Sequence, residues 1–496
     1  MGYVCAIEYH PLCFLLTPNR RRSEMMYTQS KYNLVFPIKD NRYIIYNTLK
    51  NSIVVADEEA ITLIKENRIN ELPQEFLEMA LNAGVLIPAD LDELQFIRTQ
   101  RKTSLYLSGS HPHIGLTLLM TYSCNLRCPY CYEGERKNLG GILTPEKIET
   151  ILKFVLSHKT EKTPEFSVHV SFYGGEPLLN WHGCKYTLQR LDALNNEGNI
   201  TKYFASFTTN GTLINREVIE YINNYNITSM QITLDGPKDI HDKKRISASG
   251  GGTFDKIIEN MLLLKENVKK KTFYLNLRIN IDKTNYQRIP ELLDYLKDIG
   301  LSGINISFGI VRGNIPFSCN FHNTLFVGSD LSKVLPMLWE AATERGFKVQ
   351  TRPNIRHIYC MYEKLHSYLI DPNLNVYPCW EMAGIEKYRI GKILDNGKFK
   401  ANPFYYTAKG RDPTVFKECR DCVFLPICMG GCAMESIRRN GDPNGPGCDI
   451  SRYIWKQGLE FYLKRKYPQL FKNGSLSSTI MLDFKIPKRR NNNAQG

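Results

Sequence analysis

The placement of cysteine constrains this chain more than any other feature. Residues Thr121 to Glu133 read TYSCNLRCPYCYE, and Cys124, Cys128 and Cys131 stand there at C-x3-C-x2-C spacing. Three thiols within one short loop can converge on a single metal centre. Iron–sulfur clusters are usually held by four cysteines, so a compact trio leaves one iron without a protein ligand and free to bind something else. The competing reading is a zinc knuckle or a set of buried structural cysteines. Zinc sites more often pair C-x2-C units with a second Cys or His pair, and no such pair lies near this loop.

A chain of 496 residues exceeds the size at which one core stops growing, so two or three domains are expected. With 43% hydrophobic residues it can bury substantial cores and is not globally disordered. No apolar run of about 18 residues occurs, so no membrane span is expected. The N-terminal patch VCAIEYHPLCFLL is interrupted by Glu8 and His10 and followed by Arg20–Arg22, the reverse of the charge order in a secretory signal. Fourteen clustered cysteines in a chain this long indicate metal binding in a reducing cytoplasm, not a disulfide scaffold. The net charge of +14 is spread over short runs such as Lys269–Lys271 and Lys488–Arg490. Solvated surface accounts for those runs better than a nucleic-acid partner.

Residues 1–30 lack periodicity and are expected to form a loose extension carrying Cys5 and Cys13, with Met25 or Met26 as an alternative start. From residue 31 to 97, YNLVFP, RYIIYN and SIVV read as strands, the first two joined at Asp40–Asn41. Helices follow near Glu58–Glu66 and from Pro73 to Gly84, with the start and stop signals expected of each. A polar, basic connector from Ile97 to His113 leads onward. From 113 to 312, six apolar runs (GLTLLMTY, SVHVSFYG, YFASFTT, MQITLDG, YLNLRIN, INISFGI) alternate with amphipathic helices, a parallel α/β pattern. Thr144 and Pro145 open one helix, with Ile148, Ile151, Leu152 and Val155 on a single face. RYIWKQGLEFYLKRKY reads as an amphipathic closing helix, and the tail 473–496 has no core pattern and is expected to be mobile.

With Tyr130 just ahead of its third cysteine, the Cys124–Cys131 loop resembles the cluster motif of radical S-adenosylmethionine (AdoMet) enzymes. The resemblance implies a partial (β/α)6 TIM-like barrel with a [4Fe–4S] cluster on Cys124, Cys128 and Cys131. Its open iron would chelate AdoMet, and reductive cleavage would give a 5′-deoxyadenosyl radical. YGGEP at Tyr173–Pro177 matches the motif whose backbone holds the AdoMet amino group, which brings in Gly174, Gly175 and Glu176. A Gly-Gly turn is otherwise only a turn, though Glu176 also offers a carboxylate. By the same resemblance Asn210 contacts the ribose, Thr233 supplies a hydroxyl, Arg245 forks onto the AdoMet carboxylate and Ile306 lies against adenine. Asp235 and His241 belong to the signature but are read as turn and cap residues, and Cys184 as a buried hydrophobe. The module at 31–97 resembles, by topology, the winged-helix-like element that binds leader peptides by strand addition in peptide-modifying members.

Between Cys360 and Cys448 lie seven of the fourteen cysteines, Cys419, Cys422, Cys428 and Cys432 among them. Region 355–455 resembles the SPASM domain, which carries two auxiliary [4Fe–4S] clusters. Cys360, Cys379 and Cys432 would hold the first, and Cys419, Cys422, Cys428 and Cys448 the second. The chain departs from the pattern in having Leu374 where glycine is common and Asn354 where some members have an eighth cysteine. Cys319 is an alternative eighth ligand; without one, the first auxiliary cluster has an iron open to a substrate thiolate.

The expected function is therefore a radical SAM/SPASM maturase of a ribosomally made peptide or a protein, working with a reductant such as flavodoxin or ferredoxin. Thioether or other cross-link formation is the favoured product class, ahead of epimerisation. An anaerobic sulfatase-maturating enzyme comes second, because that group typically has an aspartate after the second SPASM cysteine, where this chain has Trp380. A non-catalytic iron–sulfur carrier or degenerate peptide-binding homologue comes third. No catalytic acid or base is marked by the motifs.

Overall fold

The computed structural model describes residues 26–110, 113–160, 165–313, 324–448 and 450–471. Cys5, Cys13, Cys319 and the tail from residue 473 lie outside them. Residues 26–30, expected to be loose, carry strand β1 (Tyr27–Gln29). Strands β2 (Asn33–Pro37), β3 (Arg42–Asn47) and β4 (Ser52–Asp57) form an antiparallel sheet. Asp40 and Asn41 both take positive φ (60° and 51°) at its first turn, a conformation these short polar residues tolerate. The helix Glu58–Lys65 is capped by the Asp57 carboxylate, which accepts from Ala60 N–H, and a second helix spans Gln74–Asn82. Strand β5 (Leu86–Pro88) then pairs with β1. Pleating divides the sheet: Ile45, Val54 and Ala56 pack on these helices. Leu34, Phe36, Ile44 and Tyr46 pack instead on Val423, Ile427, Leu459 and Leu463 of the C-terminal region. The N-terminal unit is thus docked on the second cysteine field.

The connector expected as a polar linker is a helix, Glu93–Ser110. Its buried side is largely ionic. Glu93, Ile97 and Arg101 recur at helical spacing and are all buried, so hydropathy alone does not show the periodicity. Arg101 reaches Glu363 at 3.0 Å, and Glu363 also takes Arg411 at 2.6 Å. These three side chains are at most 2% exposed.

Six parallel strands follow in chain order: β6 (His113–Leu119), β7 (Ser167–Tyr173), β8 (Lys202–Thr208), β9 (Ile227–Thr233), β10 (Tyr274–Ile281) and β11 (Asn305–Ile310). Helices Pro145–Leu156, Trp181–Asn196, Arg216–Asn224, Phe254–Asn267 and Ile289–Asp298 connect them, giving the expected parallel α/β architecture. The outermost strands do not pair with each other. β11 takes β12 (Lys348–Val349), and β6 takes β13 (Ser367–Ile370), which continues into the antiparallel strands β14 (Asn375–Tyr377), β15 (Gly391–Ile393) and β16 (Phe399–Ala401).

The pleat sorts this sheet by polarity. Leu116, Val170, Phe207, Ile232, Leu277 and Ile306 point outward into the main core beneath the helices. The register aligns Thr117 with Ser171 and Ser206 on the other face, and Thr233 with Arg278 and Ser307. Successive side chains on a strand face opposite sides, so the concave face is polar and lines a lumen. A closed eight-stranded barrel is instead packed solid inside.

The closing helix Ser451–Lys466 lies against Leu331–Glu344, with the rings of Trp339 and Phe461 5.7 Å apart. No helix among the described residues is long and apolar enough to cross a membrane.

Removing one partner of a buried ion pair costs about 3–5 kcal/mol, because a charge is left uncompensated. Glu363→Ala leaves buried Arg411 without a carboxylate and buried Arg101 with only Asp412 at 3.5 Å, and is expected to lower the denaturant midpoint sharply. Surface pairs such as Arg68–Glu71 provide the contrast, each worth about 1 kcal/mol or less.

Candidate active site

The Cys124–Cys131 loop leaves the carboxyl end of β6 and is clamped onto the end of β7. Gly175 N–H donates to the Thr121 carbonyl and Glu176 N–H to the Ser123 carbonyl, each at 3.0 Å. A Cβ on Gly174 would stand 2.4 Å from Thr121 O, and one on Gly175 2.3 Å from Ser123 O. Gly174 also holds φ at 145°, where an L side chain is strained. Both glycines are therefore required by the approach of two backbone segments of this chain, whatever else the turn binds.

Glu176 was expected to offer a carboxylate, yet it is fully buried and its oxygens are committed. They accept from Leu178 N–H at 3.0 Å, Thr209 Oγ1 at 2.7 Å and Asn210 N–H at 2.7 Å. The Glu176 backbone is engaged as well, N–H on the Ser123 carbonyl and C=O accepting from Leu179 N–H at 3.2 Å. Asn210 is likewise tied in: its Nδ2 donates to Asn125 Oδ1 at 2.7 Å, and its Oδ1 accepts from Thr212. Since Asn125 belongs to the cysteine loop, loop and strand ends form a closed hydrogen-bonded circuit.

The three thiols line one open cavity of about 450 Å³ with Arg127 and Lys137. Burial pushes the Cys124 thiol up to about 12 and raises those of Cys128 and Cys131 as well. A metal is what keeps such buried thiols ionised. Burial also works against the Lys137 ammonium, but the thiols, Cys131 foremost, outweigh it and hold its pKa above the ordinary lysine range. Among the described residues, no three Cys, His, Asp or Glu side chains close around one point as ligands of a single ion would. Thiolates on a multi-iron cluster bind separate irons and so stand further apart.

Beyond the trio, Tyr130 is the hub of a buried polar knot. Its hydroxyl donates to the Asp235 carboxylate and accepts from Arg245 Nη1 at 2.9 Å and Asn280 Nδ2 at 3.2 Å. Asp235 also accepts from Asn280 N–H, while His241 Nδ1 accepts from Asp235 N–H, consistent with structural roles for both residues. Arg245 is buried, and its Nε has no hydrogen-bond partner among the described residues. An orphaned guanidinium donor is what a carboxylate ligand would satisfy. Thr233 lies on the lumen face, in register with Arg278. The donor set therefore fits a cluster on the thiols with a carboxylate-bearing cofactor at Arg245.

Ile306 does not fit the adenine role. It pairs with Leu277 on the outward face of the sheet and belongs to the main core, whereas Ser307 and Gly309 share the lumen side with Arg278. Cys184 is a core residue, as expected.

The second cysteine field divides into two groups. Burial raises the Cys360 thiol to about 12, and neighbouring Cys432 adds to the shift. Burial likewise raises Cys379, with Cys432 and Cys360 among its neighbours. Burial also raises Cys419, Cys422 and Cys428, with Cys448 among the neighbours of each, forming a separate group. Tyr359 stands between the two. Leu374, at the expected glycine position, holds φ at +60° and is buried. The left-handed turn is thus retained without glycine, at a cost of about 1 kcal/mol. Asp371 Oδ1 steadies it by accepting from Asn373 and Asn375 N–H.

Sequence reasoning missed the side chains joining these centres. Tyr132, next to Cys131, shares a hydrogen bond with Tyr173 of the lumen. The Tyr173 ring stacks at 6.2 Å on Trp380, which follows Cys379 and is 44% exposed. Arg312 contacts Cys432 Sγ at 3.9 Å and Glu435 at 3.1 Å. The polar positions of NLRIN, Arg278 and Asn280, alternate along β10, and that period of two marked them as lumen residues.

The radical SAM superfamily model matches residues 118–284. The radical SAM cyclopropyl synthase TigE of Paramaledivibacter caminithermalis is 27% identical over 447 residues, spanning 84% of this chain and 89% of that protein. The cysteine-type anaerobic sulfatase-maturating enzyme of Clostridium perfringens strain 13 is 26% identical over 375 residues, spanning 70% and 94%. A solved structure of native anSMEcpe with bound AdoMet and Cp18Cys peptide matches with a TM-score of 0.53 at 19% identity, covering 72% of this chain and 98% of that one. That likeness bears on the fold alone.

Glu176→Gln replaces an acceptor oxygen with an N–H₂ facing donors. The expected result is a loss of about 1–3 kcal/mol for the unsatisfied groups, read as a lower denaturant midpoint of the metal-free protein.

Proposed function

We propose that this chain, whose residues 118–284 match the radical SAM superfamily model, is an enzyme of that superfamily that matures a ribosomally made peptide or a protein, using AdoMet and a cluster on Cys124, Cys128 and Cys131. The observation that carries this reading is the trio of thiols sharing a cavity wall with Lys137, beyond which a buried Arg245 Nε waits for an acceptor. When bound, the cluster and AdoMet supply a hydrogen-abstracting radical. The chain's own part is positioning. Arg245 holds a carboxylate, Tyr130 and Asp235 fix Arg245, and Thr233 offers its hydroxyl from the lumen wall. The polar lumen accommodates the peptide.

A peptide substrate is supported by the relatives, which include sulfatase-maturating enzymes, and by the polar face that Thr233, Arg278 and Ser307 share. We read residues 31–97 as a winged-helix-like module whose sheet order places β2 and β4 at its edges, where a leader segment could add as a strand. Region 355–455 is read as a SPASM domain with two auxiliary clusters on the two thiol groups. Cys360, Cys379 and Cys432 again make three; where Cys319 does not supply the fourth thiolate, the open iron suits a substrate thiolate and favours thioether formation. An acidic electron donor such as flavodoxin or ferredoxin would be drawn to Arg127 and Lys137 beside the trio.

Formylglycine formation on a sulfatase is the second reading, favoured by the 26% identical maturase. Against it stands Trp380, stacked on Tyr173 where an acid would be needed to take up a proton. Incubation with a cysteine-containing sulfatase peptide separates the two: an aldehyde product mass selects the second reading, and unchanged peptide with continuing AdoMet cleavage selects the first.

Three [4Fe–4S] clusters require about twelve irons per chain. Replacing Cys124, Cys128 and Cys131 by alanine is expected to remove about four of them and abolish 5′-deoxyadenosine formation, measured by iron assay and chromatography. Unchanged turnover would overturn the reading.

A further inference from the structure

The lumen holds one guanidinium that nothing in the proposed chemistry uses. Arg278 lies on the concave face of β10, in register with Thr233 on one side and Ser307 on the other. Its Nε donates to Asn280 Oδ1 at 3.1 Å, and Asn280 in turn donates to Tyr130. The guanidinium crosses the next strand above Gly309, where an added Cβ would lie 2.0 Å from Nε and 2.2 Å from Cζ. Glycine at that position is what lets the side chain lie flat. The group is therefore fixed in place by a hydrogen bond below and by a strand shaped to receive it.

What Arg278 lacks is a counter-ion. Among the described residues no carboxylate stands within ion-pair distance of it. The acids nearby are already matched. Glu435 lies 3.1 Å from Arg312 and 2.7 Å from Arg438, and Glu381 is shared by the same two arginines, so two glutamates balance two arginines. Asp235 is 4.0 Å from Arg245, and Asp282 is paired with Lys244 at 2.5 Å. Residues 314–323, which follow Arg312, contain no Asp or Glu. Burial and then the like charge of Arg312 depress the pKa of Arg278, and Tyr173, Asp235 and Tyr130 offset that only in part. A rigid guanidinium with no carboxylate at ion-pair distance among the described residues is suited to receive an anion from outside the chain.

We propose that Arg278 is a specificity residue that binds a carboxylate of the peptide substrate, an Asp or Glu side chain beside the modified residue or the peptide's own terminus. This inference rests on the peptide-maturase reading above. Arg278 stands apart from Arg245, the residue assigned to the cofactor carboxylate, with Asn280 and Tyr130 between them. Its planar fork has Nη1 and Nη2 left over after Asn280 takes Nε, which suits bidentate capture of a carboxylate.

The test uses the full-length, reconstituted protein with AdoMet and three pools of short N-acetylated peptides. One pool carries a single Asp and an amidated C-terminus. The second carries Asn in its place, and the third carries Asn with a free C-terminal carboxylate. Retention on the immobilised enzyme is read by mass spectrometry. The expected result is preferential retention of the Asp pool or of the free-carboxylate pool, which also identifies the carboxylate as side chain or terminus. Arg278→Gln should abolish that preference, a loss of about 10- to 100-fold for a charge-assisted hydrogen bond, while AdoMet is still bound. Arg278→Lys, which keeps the charge and stem but not the fork, should retain a weaker preference and serves as the folded control. Equal retention of the Asp and Asn amidated pools, with no gain from a free terminus, overturns the proposal and leaves the peptide reading standing. Loss of AdoMet binding in Arg278→Gln alone overturns it by placing the residue in the cofactor site. If the wild-type enzyme cleaves AdoMet but retains no peptide from any pool, the peptide reading and this inference both fall.

Discussion

The contact on which the site depends is made by backbone. Gly174 and Gly175 press against Thr121 and Ser123 so closely that a Cβ at either glycine would stand within 2.4 Å of a loop carbonyl oxygen. That approach lets Gly175 and Glu176 donate to the loop and turns the Glu176 carboxylate inward, where it gathers Thr209, Asn210 and Leu178. Asn210 then returns to the loop through Asn125. The cysteine loop is held from both sides by hydrogen bonds that converge on the buried Glu176 and Asn210, so its geometry is set before any metal arrives. Preorganisation of this kind is what a site needs if three thiols are to meet a cluster without ordering the loop at the moment of binding.

The second constraint is the division of polarity by the pleat. With apolar side chains consigned to the helix-covered face, the lumen is left to Thr, Ser, Asn, Arg and Tyr. Interaction between charges strengthens as the local dielectric falls, so each unpaired group there has an outsized effect on what enters. The arginines illustrate this. Arg312 and Arg438 are neutralised by Glu381 and Glu435, Arg245 keeps an unsatisfied Nε beside Tyr130 and Asp235, and Arg278 has no carboxylate at ion-pair distance among the described residues. The same wall thus presents a sealed ion network, a site short of one acceptor, and an open cation, each suited to a different occupant.

Much of this was legible in the sequence where the signal is local. The three N-terminal strands, the helix opened by Thr144–Pro145, the six parallel strands and the closing helix fall where hydrophobic period and cap residues placed them. What escaped was information carried by partners distant in the chain. The Glu93–Ser110 helix buries arginine, and its period becomes visible only once Glu363 and Asp412 are known to meet Arg101. Ile306 is set against adenine by its place on the sixth strand, but parity decides which face a strand residue joins. Counting by two from Thr233 through its register partners leads to Arg278 and Ser307. Leu374 shows the converse: a residue unsuited to positive φ still adopts it, because Asp371 and the buried leucyl side chain over-determine the turn.

The buried Arg101–Glu363–Arg411 cluster raises the question of why ions are used where hydrocarbon would pack more cheaply. Its location supplies a physical reason. Arg411 donates to the carbonyls of Gly430, Pro443 and Gly445, and Glu363 follows Cys360 by three residues. Fixed, directional bonds therefore run from the connector helix into the turns that carry Cys428, Cys432 and Cys448. Apolar packing tolerates sliding, whereas a guanidinium that must satisfy a carboxylate and three carbonyls at once does not. A cysteine set drawn from segments nearly ninety residues apart, Cys360 to Cys448, needs a specified register more than it needs additional stability. The N-terminal sheet reinforces that register by packing Phe36 and Tyr46 against the Ile427 segment. The unit read as a peptide-recognition module is thereby held at a set position relative to the thiols, so that a peptide anchored on one would reach the lumen at a set distance along its chain.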